Sequence, residues 1–230
     1  MDLRDNGIQE AIPCFLDVRF VMAPYERMVF ELFYDVAPFT AENFRALCSG
    51  EKGVSAKTGR PLGYKRSFFH PYKEGDSYVK GGLFSYKTGE SGESIYTPRF
   101  PLDLNNNLKH DKEGLLSMSR RDQEASNSCF VITLEADPSL DSSHVVFGKL
   151  VGGLDTLRAI RDHDFFPPVK IIDSGVLSRN IPRDVIMRPY RSSDAVSFDT
   201  MSSEGEQEDE DSAGEEGPSS SSPDSQPCFP

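Results

Sequence analysis

No tryptophan occurs anywhere in the 230 residues, and the four cysteines, Cys14, Cys48, Cys129 and Cys228, are far apart with no Cys-x-x-Cys pair. That spacing offers neither a disulfide framework nor a zinc pattern, so free thiols are expected, with no metal and no cofactor. No run of about 18 apolar residues exists, so no membrane-spanning helix is expected. The first ten residues, MDLRDNGIQE, are charged and lack the apolar stretch of a secretory signal. A reducing compartment fits both observations. Serine, histidine and aspartate are plentiful, but the Gly-x-Ser-x-Gly elbow is absent, which argues against a hydrolase.

Positive charge is also scarce: 25 Lys and Arg face 37 Asp and Glu, a net of −12. The imbalance is local. Residues 191–230 hold eleven acids and one base, while residues 1–190 hold 26 acids and 24 bases. A nearly neutral domain gives no electrostatic reason to expect nucleic acid as a partner. The run SSEGEQEDEDSAGEEGPSSSSPDSQPCFP has almost nothing to bury and reads as a disordered acidic tail over 201–230. Residues 178–200 read as a linker and 1–11 as an N-terminal extension, leaving one domain over 12–177.

Within that domain the apolar pattern is mostly that of strands. In CFLDVRF, Phe15, Asp17 and Arg19 alternate with Leu16, Val18 and Phe20, and MVFELF repeats the pattern with Met28, Phe30 and Leu32. The turn VMAPYE between them makes a hairpin. Next, Pro38 suits a first helical position, Ala41, Phe44 and Leu47 follow at helical spacing, and Gly50 stops the helix. GLDTLRAIRDH predicts a second helix, with Leu154, Leu157 and Ile160 three apart. GLLSMS, CFVITL, HVVFGKL and VKIIDSGVL read as further short strands. Many short strands with two helices point to a mainly β fold, a closed barrel plugged by helices.

These segments carry a resemblance. ERMVFELFYDVAPFTAENFRALCSGEKG, GESIY, LKHDKEGLLSMS and SSHVVFGKLVGGLDTLRAI, in that order and ending at VKIIDSGVL, resemble the cyclophilins. The insert VSAKTGRPLGYKRSFFH resembles the longer loop of large, plant-like eukaryotic cyclophilins, a branch that also has a cysteine where Cys48 sits. That branch's second cysteine is Ser174 here, which leaves no redox pair between those two positions. The resemblance implies a closed eight-stranded antiparallel barrel capped by two α-helices. It also implies a monomeric peptidyl-prolyl cis-trans isomerase that assists protein folding in the cytoplasm or nucleus, without metal or cofactor. The chemistry is non-covalent: an X-Pro bond faces a barrier of about 18–20 kcal/mol, and a site that holds the twisted amide better than the planar one lowers it. In the family, an arginine bonds near the prolyl nitrogen, a glutamine and an asparagine hold the backbone, and apolar side chains receive the proline ring.

Carried over residue by residue, the groove is altered. Where the family reads Phe-His-Arg, this chain reads Phe69-His70-Pro71, so no catalytic residue is assigned; Lys73 is the nearest cation in sequence. The stretch from there to Gly81 is one residue longer than usual. The pocket phenylalanine and methionine fall on Ser77 and Tyr78, and the glutamine on Lys80. The family's alanine and asparagine become Ser119 and Arg120, its next glutamine Cys129, and its groove phenylalanine Val131. The tryptophan many members use for cyclosporin is Ser139, while Leu140 and His144 still match. The substrate-binding set is therefore Tyr78, Lys80, Ser119, Arg120, Cys129, Val131, Leu140 and His144. Blander roles compete: His70 and His144 as hydrogen-bonded structural histidines, Ser119–Asp122 as a solvated turn, and Cys129 as a small buried hydrophobe.

Three functions stay open: an active isomerase, a peptide binder with weak or lost catalysis, and a non-catalytic scaffold. The altered groove favours the second. Lys80 and Arg120 add cations where neutral amides stood, which favours acidic or phosphorylated proline segments. The chain's own tail, with Pro223 and Pro227, is one such segment.

Overall fold

The computed structural model describes residues 13–177 apart from 22, 57, 86–89, 97–99, 102, 104–105, 121–127 and 164–166. The expected extension 1–11, linker 178–200 and tail 201–230 lie outside the described residues, as does residue 12, the expected first residue of the domain. The chain divides into two units, Met1–Asp194 and Ala195–Pro230, and every described residue belongs to the first.

The hairpin expected from alternation is β1 (Cys14–Arg19) and β2 (Glu26–Leu32), with Cys14 opposite Phe30 and Val18 opposite Glu26. Cys14, Leu16, Val18, Met28 and Phe30 are fully buried. Alternation also placed Asp17 on the opposite face with Arg19, yet Asp17 is buried, 4% exposed. The reason is Arg27 across the ladder. It grips the Asp17 carboxylate with two hydrogen bonds of 2.7 and 2.8 Å, and its guanidinium lies 4.0 Å over the Phe15 ring. A carboxylate so paired no longer needs solvent.

Helix α1 (Pro38–Ser49) starts with Pro38 in its first turn and ends at Gly50, whose left-handed φ of 69° lets its N–H reach the Ala46 carbonyl. Ala37 has no side chain to cap the N-terminus. Asp103 does so from a distant loop, accepting from the Phe39 and Thr40 N–H groups at 3.1 and 3.0 Å and from the Thr40 hydroxyl at 2.5 Å. The buried face of α1 carries Phe44 into the barrel. Its ring meets those of Phe30, Tyr64, Phe130 and Phe147 at centroid distances of 5.6, 5.2, 5.3 and 5.4 Å. Tyr64 is wholly buried, and its hydroxyl is satisfied by the Ser128 carbonyl at 2.8 Å.

The remaining elements are β3 (Phe68–Phe69), β4 (Tyr78–Ser85), β5 (Glu90–Ser91), β6 (Leu115–Ser119), β7 (Phe130–Thr133), a 3₁₀ turn (Pro138–Ser142), β8 (His144–Gly152), α2 (Leu154–Arg161) and β9 (Lys170–Val176). The strands run β3-β9-β1-β2-β8-β6-β7-β4, and β4 pairs back onto β3, so eight antiparallel strands close. β5 is a ninth, added beside β4. In α2, Leu157 and Ile160 are buried as expected, but Leu154 is 38% exposed. Thr156 turns inward instead, donating to Glu26 at 2.6 Å. The loop after α1 is fixed by Glu93, which accepts from the hydroxyls of Ser55 (2.8 Å) and Thr58.

Among the described residues, one non-glycine backbone position is strained. Arg66 adopts a left-handed φ of 76° so that its N–H can reach Ile171 at 2.8 Å. Its side chain is exposed, so little but backbone strain is at stake. The left-handed penalty is about 1–2 kcal/mol, against which stands glycine's greater chain entropy. Arg66→Gly should therefore raise stability by about 0.5–1 kcal/mol. A urea titration checks this: the midpoint should rise at unchanged slope, and a fall would contradict the strain.

Candidate functional site

A strand sends successive side chains to opposite faces. On β3, β4, β7 and β6 the inward set is Phe69, Val79, Phe130, Ile132, Leu116 and Met118, all in the core cluster. The pairings Phe69↔Gly81↔Phe130 and Val79↔Ile132↔Leu116 put them in register. By alternation His70, Tyr78, Lys80, Val131, Ser117 and Ser119 share the outer face, with Lys80 opposite Val131 and Val131 opposite Ser117. Cys129, just before β7, has its Sγ 3.8 Å from His70 Nε2 and 4.0 Å from the Gly82 carbonyl. Two glycines make the close approach of β4 and β7 possible. A Cβ on Gly81 would come within 2.4 Å of the Phe130 ring, and one on Gly82, at φ +88°, within 2.5 Å of the Ser128 carbonyl oxygen.

Pro71 lies two residues after the end of β3. The ladder's last bond comes from His70, whose N–H reaches the Lys80 carbonyl at 2.8 Å, so the proline's missing donor interrupts nothing. The extra residue of this stretch is absorbed in a turn in which Asp76 N–H bonds the Lys73 carbonyl at 3.0 Å and Tyr72 Oη bonds the Asp76 carbonyl at 2.9 Å. Lys73 thus sits exposed at a turn. Lys80 is half-buried and makes no ion pair among the described residues.

One wall is the 3₁₀ turn carrying Leu140, which is 6% exposed. Asp137 caps it, accepting from Ser139 N–H and Oγ at 3.0 and 2.5 Å. The same carboxylate accepts from Ser77 Oγ, tying the turn to the start of β4. Asp141 ties the other end, accepting from the N–H and Nδ1 of His110, both at 2.9 Å. Both carboxyls are held below the usual carboxylate range. For Asp137 the main cause is the Ser139 hydroxyl, then Ser77; for Asp141 it is the His110 side chain.

The rim beyond is Ser119, paired with His144, and Arg120. Arg120 is pinned there by its N–H on the Ser143 carbonyl (2.8 Å) and its Nε on the His144 carbonyl (3.0 Å). The His144 ring bonds Ser143 Oγ at 2.9 Å and stands edge-on to His110, centroids 6.3 Å apart. His110 Nε2 and Ser117 Oγ, both buried, find no partner among the described residues.

The expected site residues therefore fall into two groups. Tyr78, Lys80 and Val131 share the β4–β7 face with His70, which Cys129 meets, while Ser119, Arg120 and His144 form a rim beside the turn of Leu140. No hydrogen bond or ion pair among the described residues joins Lys80 to Arg120. The Ser77–Asp137 and His110–Asp141 tethers were not expected. Asp137-Pro138 is a cap signal that could have revealed the Asp137–Ser139 cap but not its tie to Ser77, 60 residues away. The His110 pairing spans 31 residues and left no local trace. No group of three His, Cys, Asp or Glu side chains is placed to hold a metal ion, and no helix is long and apolar enough to cross a membrane, among the described residues.

A closed eight-stranded antiparallel barrel with two helices is the architecture of the cyclophilins. Residues 17–176 match the family "Cyclophilin type peptidyl-prolyl cis-trans isomerase/CLD", and the chain belongs to that family. It is 40% identical to the NK-tumor recognition proteins of Mus musculus and Homo sapiens over 185 residues, which is 78% of this chain and 13% and 12% of those proteins. It is 47% identical over 136 residues to peptidyl-prolyl cis-trans isomerase cyp11 of Rhizopus delemar, 59% of this chain and 40% of that protein. The chain thus spans well under half the length of each.

His70 carries the clearest electrostatic signature on the groove face. Burial first, and the neighbouring Lys80 charge second, push its pKa from 6.5 down to about 4. Between these values the unfolded chain takes up a proton that the folded chain refuses, so this group lowers stability as pH falls from about 6.5 to about 4. Replacing it removes that contribution. Across this window the unfolding midpoint of a His70→Gln variant should drop less than that of the parent; parallel curves would contradict the assignment.

Proposed function

We propose that this chain binds proline-containing segments of other proteins along the groove face and accelerates their cis–trans isomerisation only weakly. The observation that carries this is Pro71 where the resemblance puts the catalytic arginine. Lys73 is held in an exposed turn, and Arg120 has its Nε committed to the His144 carbonyl. Lys80 is the cation nearest Pro71 along the ladder, but an ammonium lacks the planar fork that holds a twisted amide from two directions. Removing one transition-state donor costs about 10²–10³ in rate. The glutamine and asparagine positions have changed as well, although such losses need not add.

Features suited to binding persist. Leu140 stands on a turn tethered at both ends, Val131 lines the β7 face, and His144 stays on the rim. Lys80 and Arg120, neither ion-paired among the described residues, favour acidic or phosphorylated proline peptides. The test is isomerisation of an X-Pro peptide by NMR exchange, alongside calorimetric titration of neutral, acidic and phosphorylated versions. Expected are a kcat/KM at least about 10²-fold below that of an unaltered cyclophilin and tightest binding for the charged peptides, weakening with salt. A kcat/KM within about tenfold would overturn weak catalysis. No binding at millimolar peptide would leave the scaffold reading.

A further inference from the structure

Three strands away from the β4–β7 face, on β3, β9 and β1, a row of outward side chains carries positive charge with no counter-charge beside it. The ladder sets Arg19 directly opposite Lys170 and Lys170 directly opposite Phe68, so the three lie side by side across β1, β9 and β3. Val18, Val169 and Ile171 are buried, so alternation turns Arg19 and Lys170 outward, and both are exposed. Directly opposed residues have Cβ atoms about 4.5–5.5 Å apart, and like charges at that spacing destabilise the pair. Lys170 Nζ stands 5.7 Å from the centre of the Phe68 ring, a contact that leaves its charge in place. Neither Arg19 nor Lys170 forms an ion pair among the described residues. Arg66, also exposed, adjoins the row through its N–H on the Ile171 carbonyl.

The same two strands hold a like-charged pair that is compensated. Asp17 stands opposite Asp173. There each acid has its own cation: Arg27 grips Asp17 at 2.7 Å, and Lys65 Nζ reaches Asp173 at 3.0 Å. The acid pair is neutralised within the domain, and the cation pair next to it is not.

We propose that the row Arg19–Lys170–Phe68 is a docking surface for an extended acidic segment of a partner protein. In an extended chain, alternate side chains share one face about 6.5 Å apart, a step that long Arg and Lys side chains on neighbouring strands can match. Carboxylates at alternate positions then meet Lys170 and Arg19 one each through charge-assisted hydrogen bonds, and an apolar residue two positions before them lies on the Phe68 ring. Charge complementarity favours such a segment over nucleic acid. Residues 1–190 carry 26 acids and 24 bases, so a duplex, with one negative charge per about 1.7 Å, would meet repulsion as soon as it extended past the row. The surface uses no residue of the substrate-binding set, so it stands independently of the function proposed above.

The test is an NMR titration of the full chain with the blocked, proline-free peptide Leu-Ser-Glu-Ser-Glu-Ser, and with the same peptide carrying glutamine for glutamate. Resonances of Arg19, Phe68 and Lys170 should shift at millimolar acidic peptide, less as salt rises, and not with the glutamine peptide. Arg19→Gln and Lys170→Gln should each weaken binding at least about threefold. Each should also raise the unfolding midpoint of the unliganded chain, since it removes the like-charged contact. Lys112→Gln, which removes a cation already paired with Asp111 at 4.0 Å, should leave binding unchanged. Should a variant fail to fold, the shift map of the parent chain decides by itself. Shifts centred on Lys80 and Arg120 instead of the row overturn the proposal, as does an equal response to the glutamine peptide. A single-stranded oligonucleotide or phosphatidylserine vesicles that perturb the row where the acidic peptide does not overturn it as well.

Discussion

The close seating of β4 against β7 is the constraint on which the rest depends. Gly81 removes the side chain that would collide with Phe130, and that ring can then reach Phe44, Tyr64 and Phe69 at centroid distances of 5.3, 5.2 and 5.9 Å. Each such aromatic contact adds about 0.5–1.5 kcal/mol beyond the area it buries. Gly82 adopts a φ that other residues resist and brings β4 onto the Ser128 carbonyl. The same approach lets a two-residue β3 close the barrel and places Cys129 under His70. Core, closure and groove therefore share one point of contact.

Strand alternation separates what stability needs from what chemistry needs. Inward residues such as Val79, Phe130, Ile132 and Leu116 are buried and apolar, and losing one leaves a cavity costing about 2–5 kcal/mol. Of the outward residues, Tyr78, Lys80 and Ser119 are only half-buried and meet no such demand. Exposed substitutions usually change stability by about 0.5 kcal/mol or less. A groove can thus exchange its arginine, glutamine and asparagine for Pro71, Lys80 and Arg120 while the barrel beneath it stays intact. The fold and the site answer to different physical pressures, so one can change without the other.

Long, periodic segments were legible in the sequence. Alternation around Phe15 and Phe30 predicts β1 and β2, and Pro38 with Gly50 brackets α1 because each satisfies a terminus by itself. Elements held by distant partners were not legible. β3 has two residues, too few for a period, and exists only because β4 and β9 flank it. Asp17 looked solvent-facing until Arg27 crossed the ladder to it. The cap of α1 comes from Asp103, more than sixty residues on, and Arg66 carries no residue-level sign that its backbone is left-handed. At the site, the expected residues were named by position from the resemblance, and their company was not legible. Arg120 is bound to the rim, and His70 meets a thiol 59 residues away.

The turn of Leu140 is fastened at both ends, by Asp137 to β4 and by Asp141 to His110. A wall held in this way has little freedom left to lose, so binding there would cost little conformational entropy. Encounter need not wait for a loop to order itself. Related ligands should consequently associate at similar speeds and differ mainly in residence time. The selectivity of this groove is then expressed as a clock: which segments stay long enough to matter, rather than which ones enter.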